Sequence, residues 1–284
     1  MKIFLAGGSG VIGAGLIPRL VAAGHHVVAT TRRPERLESL RAASNHDGTG
    51  GAEGVLVDVY DAQHLIDVVR AAEPDLIIHQ LTDLSEYDTE ANARLRRTGT
   101  SNLVAAAEAA GVDRMIVQSI AWAYRPRDGL SVEDDPIEAG SAVETMENLV
   151  GSLTHHIVLR YGMLYGPTTW YAPGGRMAEA VMAGRLDATP RVTSFVHIHD
   201  AVAATVDALD WPDGAYNIVD DEPAPATTWL PVYAAKIGAP QPSESGSPAA
   251  TGQGASNAKA RAAGWEPDYP SWRVGFDALE VDQR

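Results

Sequence analysis

Three glycines near the N-terminus have the spacing of a phosphate-binding turn. Gly7, Gly10 and Gly13 follow the apolar stretch Lys2–Ala6 and open an amphipathic stretch at residues 11–23. The first glycine permits a tight turn, the second lets the backbone approach a pyrophosphate, and the third lets the next helix pack closely on the sheet. The N–H groups at the start of that helix then face the phosphates. The pattern predicts a dinucleotide-binding strand, turn and helix; the alternative is a packing turn without a ligand.

Two arginines follow the second predicted strand, residues 25–31, at the place that selects the ribose. An acidic residue there would bond a free 2′-hydroxyl, whereas arginine accommodates a 2′-phosphate. This chain has Arg32 and Arg33, with no carboxylate before Glu35. The sequence therefore favours NADPH over NADH. The alternative is a solvated arginine pair ahead of a helix that starts at Pro34.

Composition restricts the class of protein. At 284 residues the chain can bury a large core as one α/β domain with an appended part. A net charge of −15 argues against a nucleic-acid partner, because no basic face would neutralise phosphates. The absence of cysteine excludes disulfides, zinc-thiolate sites and a cysteine nucleophile. With no membrane-spanning run and no secretion signal, we expect a cytoplasmic monomer or homodimer that binds a small molecule, without nucleic acid or membrane.

Strands and helices alternate in the pattern of a parallel sheet. We predict an α/β, Rossmann-type doubly wound parallel sheet. Residues 1–166 form the dinucleotide-binding core, and residues 167–284 form a smaller, mixed α/β part that mainly binds substrate, with some segments returning to the core. Further strands are predicted at 55–57, 76–79, 115–117 and 156–159, helices at 61–72 and 92–110, and loops at 45–54, 122–140 and 240–254.

The chain resembles the extended short-chain dehydrogenases/reductases, a superfamily that includes nucleotide-sugar epimerases and dehydratases. Besides the glycine turn, the matching segments are residues 57–59, 98–103, 159–167 and 195–200, in the expected order. The resemblance implies that Asp58 and the residues after the fourth strand flank the adenosine, and that residues 161–163 lie along the nicotinamide. The predicted cofactor-binding residues are Gly7, Ser9, Gly10, Val11, Ile12, Gly13, Thr31, Arg32, Arg33, Asp58, Val59, Gln80, Leu81, Thr82, Tyr161, Gly162 and Met163.

The tyrosine and lysine of that family are replaced. Its redox members use Tyr-x-x-x-Lys on the helix before the sixth strand, where the lysine lowers the tyrosine pKa. Alignment on Glu147 puts Ala139 at the tyrosine position and Val143 at the lysine position. Because no lysine occurs between Lys2 and Lys236, no shift of register restores the pair.

The third member of the triad, a Ser or Thr after the fifth strand, is altered too. Alignment of Ala123-Tyr124 with the family's usual Val-Tyr dipeptide places Ile120 at this position. A shift of one residue would restore Ser119 as an oxygen-binding hydroxyl, so Ser119 is the candidate catalytic residue. Its alternative role is a hydrogen bond to the strand's own backbone. The pair His197 and His199 is expected to be structural, with no metal bound.

Ketone reduction without a tyrosine acid requires a proton from elsewhere. Losing a general acid costs about 10²–10⁴-fold, but a ketone hydrogen-bonded to a neighbouring phenol can protonate its own alkoxide. Aliphatic side chains at the triad positions and nearby aromatic residues suit a flat, hydrophobic ligand. The predicted substrate-binding residues are Ile120, Ala121, Trp122, Tyr124, Ala139, Val143, Trp170 and Tyr171; the alternative for the aromatic ones is core packing or anchoring of a loop.

Within the superfamily, the chain is similar to the triad-lacking ketoreductases of actinobacterial aromatic polyketide pathways, in particular the angucyclinone type found in simocyclinone biosynthesis. This resemblance implies NADPH-dependent reduction of an aromatic ketone, with a substrate hydroxyl or water as proton donor. Two alternatives remain open. A nucleotide-sugar epimerase or dehydratase would need the missing tyrosine, whereas a non-catalytic NADP(H)-binding regulator would not.

Overall fold

The structure is a computed structural model that describes residues 1–42, 49–83, 88–245 and 253–280. Parts of the loops predicted at 45–54 and 240–254 lie outside these ranges. The strands are β1 (Lys2–Ala6), β2 (His26–Thr31), β3 (Gly51–Leu56), β4 (Leu76–His79), β5 (Arg114–Ile120), β6 (His155–Tyr161), β7 (Met163–Tyr165), β8 (Val192–Thr193), β9 (Phe195–His197), β10 (Gly214–Ile218) and β11 (Ala224–Pro225). The α-helices are α1 (Val11–Ala22), α2 (Ala62–Ala72), α3 (Thr89–Arg94), α4 (Thr100–Ala110), α5 (Ala142–Val150), α6 (Arg176–Met182), α7 (Ile198–Asp207), α8 (Ala226–Lys236), α9 (Ala258–Ala262) and α10 (Trp272–Asp277).

Seven strands form one sheet in the order β10-β6-β5-β4-β1-β2-β3. The pairs of β1 with β2 and β4, of β2 with β3 and of β4 with β5 are parallel. From β1 the chain builds outward to β3 and then returns to add β4, β5 and β6 on the other side, which is the doubly wound order. The predicted Rossmann-type α/β fold is confirmed. In such sheets ligands bind at the carboxyl ends of the strands, where the order reverses, which here is the edge after β1 and β4.

The chain divides into two compact units, each assembled from several segments. Unit 1 consists of Met1–Ser119, Glu138–Leu159 and Thr205–Ala215. Strands β1 and β4 are apolar and buried on both faces, as central parallel strands must be. Side chains of these strands pack with those of α2, α4 and α5 in one cluster that includes Phe4 and Met146.

Unit 2 consists of Ile120–Ile137, Arg160–Ala204 and Tyr216–Arg284. Its core is aromatic, with rings meeting mostly edge to face; the Phe195 and Trp229 centroids, for example, are 5.1 Å apart at 83°. Such edge-to-face pairs add to the stability that area burial provides. The predicted functional division at residue 166 stays a prediction.

Three local predictions need correction. Residues 51–54 are expected in a loop because of their glycines, yet they form the first part of β3, which pairs in parallel with β2. The helix expected at 92–110 begins at Thr89, because the Asp88 side chain accepts N–H bonds there, and a π-helical turn, Leu95–Gly99, interrupts it. Helix α5 begins only at Ala142. Within the described ranges, no helix combines the length and apolar character that crossing a membrane requires.

Candidate functional site

The glycine turn has the geometry that phosphate binding needs. Gly7 has a φ of +92°, and a Cβ there would lie 2.8 Å from the Gln80 carbonyl oxygen. A Cβ on Gly13 would overlap the Gly7 carbonyl oxygen, so helix α1 can approach the turn only because both residues are glycine. Gly10 is the N-cap of α1 and supplies no side chain there, which leaves the first N–H groups of the helix open to an anion. The turn therefore fits the pyrophosphate of a dinucleotide.

The Thr31 hydroxyl connects the glycine turn to the arginine pair. It lies 3.0 Å from the Ser9 hydroxyl and accepts the Arg33 N–H at 3.1 Å. Thr30, one residue earlier, accepts the Gly7 N–H at 3.1 Å. These bonds connect the glycine turn to the end of β2, so the predicted pyrophosphate and ribose positions belong to one hydrogen-bonded part of unit 1.

The two arginines differ in their surroundings. Arg32 makes a two-bond ion pair with Asp83, in which Nη2 lies 3.1 Å from Oδ1 and Nη1 lies 3.3 Å from Oδ2. Arg33 is exposed, and no carboxylate of the described ranges forms an ion pair with it. Sequence reasoning missed Asp83, because the two partners are 51 positions apart and no local pattern reveals such a pair.

The predicted adenosine-binding residues lie at the ends of β3 and β4. Asp58 is exposed and its side chain accepts the Tyr60 N–H at 3.0 Å, so it caps a turn as well as facing solvent. Val59 is buried. Gln80 is buried beside the glycine turn, where its N–H donates to the Ala6 carbonyl at 2.8 Å. Of the two residues that follow it, Leu81 is half-buried and Thr82 is exposed.

A histidine at the end of β4 belongs to this region and was missed as a functional candidate. His79 Nδ1 accepts the Leu81 N–H at 3.2 Å, so the neutral ring carries its hydrogen on Nε2, which donates to the Thr100 hydroxyl at 2.9 Å. Burial, and secondly the charge of Arg96, lowers the pKa of His79 to about 4. The ring is therefore neutral near pH 7 and orders the backbone of Leu81.

At the triad positions of unit 1, Ser119 is paired with Glu147. The buried Ser119 hydroxyl donates to Glu147 Oε1 at 2.6 Å, whereas sequence reasoning used Glu147 only as an alignment anchor. Val143 is buried and aliphatic, and Ala139 is exposed and precedes α5 rather than lying on it. Because the Ser119 hydroxyl donates its single hydrogen to Glu147, it could only accept hydrogen bonds from a ligand.

Tyr124 in unit 2 is held in a buried polar network. Its hydroxyl donates to Asn217 Oδ1 at 2.6 Å and accepts from Arg160 Nη1 at 2.8 Å. Burial raises the pKa of Tyr124 to about 12, although Arg160 and Asn217 oppose the shift. Tyr124 therefore anchors its loop, and its hydroxyl proton is donated to Asn217. Trp122 is 41% exposed.

Most of the remaining predicted residues of unit 2 make contacts through their backbone or lie in the protein core. Gly162 lies where a Cβ would come within 2.8 Å of the Ser194 carbonyl oxygen, and the Met163 N–H donates to that oxygen at 2.8 Å. The Tyr161 carbonyl accepts the Ala121 N–H at 2.9 Å. Ile120 and Trp170 are half-buried, Ala121 and Tyr161 are buried, and Tyr171 lies in the aromatic core at 2% exposure. The structure thus places Tyr171 among core rings rather than at a surface.

The histidines of β9 and α7 have structural partners. His197 packs against the Tyr269 ring with centroids 3.8 Å apart, and its Nδ1 accepts the His199 N–H. Asp200 is buried and accepts the N–H groups of Asp268 and Tyr269, each at 3.0 Å. Ligand atoms of His199, Asp200 and Asp268 lie within 4.8 Å of one another. These backbone bonds account for the Asp200 carboxylate, and the absence of a bound metal stays a prediction.

Comparisons with known proteins identify the family and the fold. Residues 7–164 match the family described as NAD(P)H-binding. The 3-diazoavenalumate denitrifying reductase of a Streptomyces species is 40% identical, over 97% of this chain and 99% of that protein. The 2-alkyl-3-oxoalkanoate reductase of Stenotrophomonas maltophilia is 26% identical, over 85% of this chain and 77% of that protein. In structure, the chain is similar to the UDP-glucose 4-epimerase of Thermus thermophilus in complex with NAD, with a TM-score of 0.75, 22% identity and coverage of 98% and 99% of the two chains.

The epimerase likeness, at 22% identity, shows the fold alone. The family match and the reductase relative support an oxidoreductase. With more than half of its length matched and a full-length relative at 40% identity, this chain belongs to the NAD(P)H-binding family.

Proposed function

We propose that this protein is an NADPH-dependent reductase that directs hydride to an aromatic substrate without a tyrosine acid. The observation that carries the proposal is the state of the triad positions. Ala139 and Val143 have no ionisable group, and Glu147 accepts the Ser119 hydrogen. The reaction that suits such a site is one whose chemistry consumes no proton from a side chain.

The cofactor would be held by the residues described above. The glycine turn and the N-terminus of α1 take the pyrophosphate, and Arg32 and Arg33 favour a 2′-phosphate and hence NADPH. When bound, the nicotinamide supplies a hydride. The protein's own contribution is to bind and orient the reactants and to exclude water, and orientation alone is worth about 7–11 kcal/mol in favourable cases.

The first substrate class is an aromatic diazo compound. Replacing a diazonium group by hydride forms one C–H bond, while the electron pair of the broken C–N bond leaves with N₂. No proton is taken up, so this reaction does not need the proton that the tyrosine and lysine would supply. The Streptomyces relative, 40% identical over nearly its whole length, is named for a denitrifying reduction of a diazo compound, which supports this class.

The second candidate is a hydrophobic aromatic ketone, such as an angucyclinone-type polyketide. It is favoured by the Stenotrophomonas relative, a reductase named for a 3-oxo substrate. A ketone gains a hydride and a proton, and an adjacent phenol or a water molecule would provide the proton. In either case Trp122, exposed over 41% of its surface, offers a flat apolar face to the ligand.

Sugar-nucleotide epimerisation or dehydration ranks lower. It requires a side chain that removes a hydroxyl proton from the sugar, and the aligned positions hold aliphatic residues. A non-catalytic NADP(H)-binding regulator would bind the cofactor without oxidising it.

The deciding experiment supplies deuterium-labelled NADPH together with one of three compounds: an ortho-diazophenol, a polycyclic ketone with an adjacent phenol, or the same ketone without the phenol. UDP-glucose is tested separately with NAD⁺ or NADP⁺, because epimerisation begins with oxidation of the sugar. We expect NADPH oxidation with release of N₂ and deuterium at the former diazo carbon. Reduction of only the phenol-bearing ketone would establish the second candidate instead.

Equal reduction of both ketones would contradict internal protonation. Epimerised sugar would establish the epimerase. Cofactor binding without turnover of any compound would contradict the reductase and favour the regulator.

A further inference from the structure

The ion pair between Arg32 and Asp83 occupies the position predicted for the ribose phosphate. Arg32 follows β2, directly beside Arg33, and both of its terminal nitrogens bind the Asp83 carboxylate. The Arg32 side chain is 50% exposed and that of Asp83 is 20% exposed. The pair is therefore accessible to a ligand, and the carboxylate is its more buried partner.

Asp83 is also the more firmly fixed partner. Its N–H donates to Asn92 Oδ1 at 3.0 Å, and Asn92 is a buried residue of α3, only 5% exposed. Asp83 has a short side chain, whereas Arg32 has a long, flexible one that can turn between partners. Arg32 is thus the residue that would move if a second anion arrived.

Two other charged side chains, Asp58 and Arg94, lie near this ion pair, around Tyr60. Tyr60 lies among Arg32, Asp83, Asp58 and Arg94, and Arg94 stacks over its ring at 4.5 Å. Burial raises the pKa of the Tyr60 hydroxyl, so the ring is neutral near pH 7. Two arginines and two carboxylates surround this ring, and only Arg32 and Asp83 among them form an ion pair in the described part of the chain.

We propose that Asp83 sets the preference of this protein between NADPH and NADH, by competing with the 2′-phosphate for Arg32. The inference rests on the proposed use of NADPH. A 2′-phosphate carries nearly two negative charges and three acceptor oxygens, so it draws Arg32 away from the single charge of Asp83. Asp83 then faces a like charge, which weakens binding further. A 2′-hydroxyl carries no charge, so Arg32 stays paired with Asp83 when the unphosphorylated cofactor binds.

Asp83 therefore lowers the affinity for the phosphorylated cofactor and leaves the affinity for the unphosphorylated one unchanged. Arg33 remains free to bind the phosphate in either state. The two arginines favour NADPH over NADH, and Asp83 reduces the ratio of the two affinities below the value that the arginines alone would give.

The test measures dissociation constants of NADP⁺ and NAD⁺ by calorimetry for the full-length protein, Asp83→Asn, Arg32→Ala and the double variant. Asp83→Asn should bind NADP⁺ about fivefold more tightly, the scale of one exposed ion pair, with NAD⁺ changed by less than about twofold. In the Arg32→Ala background the same change should have a markedly smaller effect, because the competition is gone. The gain should shrink as salt is added.

Asp135→Asn is the matched control, since Asp135 pairs with Arg127 in unit 2 and is 17% exposed. It should leave both constants unchanged. Asp83→Ser gives a second neutral side chain, and thermal unfolding shows whether each variant is folded.

An unchanged ratio of the two constants in folded Asp83→Asn and Asp83→Ser would overturn the proposal. A selective loss of NAD⁺ affinity would overturn it too, since Asp83 would then bind the ribose hydroxyl. If the wild-type protein binds neither dinucleotide, the proposed function itself fails, which is a different result from an unchanged ratio.

Discussion

The Ser119 hydroxyl on β5 donates a 2.6 Å hydrogen bond to Glu147 on α5. The bond joins a central strand to the helix that carries Val143, the residue at the predicted lysine position. It gives the serine nearest the family's catalytic position a partner within the protein, in place of a substrate oxygen. The difference between a structural and a catalytic serine can be measured.

We expect Ser119→Ala to reduce stability more than catalysis. The free energy of unfolding should fall by about 1–3 kcal/mol, because Glu147 loses a buried hydrogen-bond donor. The rate of NADPH oxidation should change by less than about threefold, well below the 10²–10⁴-fold cost of losing a general acid. Urea unfolding and single-turnover kinetics measure the two effects. Glu147→Gln, which keeps an acceptor oxygen, is the control; a large rate loss at unchanged stability would make Ser119 catalytic.

Trp122 tests whether an exposed aromatic ring binds the substrate. It is 41% exposed, so Trp122→Ala should leave the melting temperature nearly unchanged. The KM for the aromatic substrate should rise roughly five- to tenfold, as expected for loss of one aromatic contact, with the NADP⁺ dissociation constant unaltered. Trp122→Phe should recover part of the affinity. A lower melting temperature with an unchanged KM would show that the ring only packs.

Tyr124→Phe tests the buried network of unit 2. Removing the hydroxyl leaves Asn217 Oδ1 and one Arg160 donor without this partner, so the free energy of unfolding should fall by about 1–3 kcal/mol. Denaturant titration measures the loss. Tyr60→Phe, at a half-buried tyrosine of unit 1, is the control and should have a smaller effect. Equal stability of the two variants would contradict the anchoring role.

The buried carboxyl group of Asp220 should make the free energy of unfolding depend on pH. It is 2% exposed, and burial raises the pKa of its carboxyl from 3.8 to about 8. A folded-state pKa above the unfolded value contributes stability that is complete below pH 3.8 and is lost as the pH rises through about 8. Relative to Asp220→Asn, the wild-type protein should therefore lose up to about 1.4 kcal/mol per pH unit across this window.

Urea titrations at a series of pH values measure that difference. Asp128→Asn, at an exposed carboxylate elsewhere in unit 2, is the matched control. Parallel pH curves for the wild-type protein and Asp220→Asn would refute the prediction.

The sequence by itself determined the type of sheet, the glycine turn and the absence of lysine from most of the chain. Apolar runs alternating with helical periodicity identify the strands and helices, because these patterns depend on residues a few positions apart. The spacing of Gly7, Gly10 and Gly13 is equally local. The missing lysine needs no structure at all, since no lysine occurs between Lys2 and Lys236.

Tertiary structure alone decided which polar groups are partners and which aromatic residues are buried. Ser119 and Glu147 are 28 residues apart, and Tyr124 and Asn217 are 93 apart. Tyr171 and Trp122 were equally plausible substrate contacts, yet one is in the core and the other is exposed. The physical reason is that burial and pairing depend on which segments the strand order brings together, and no pattern of neighbouring residues encodes contacts over such separations.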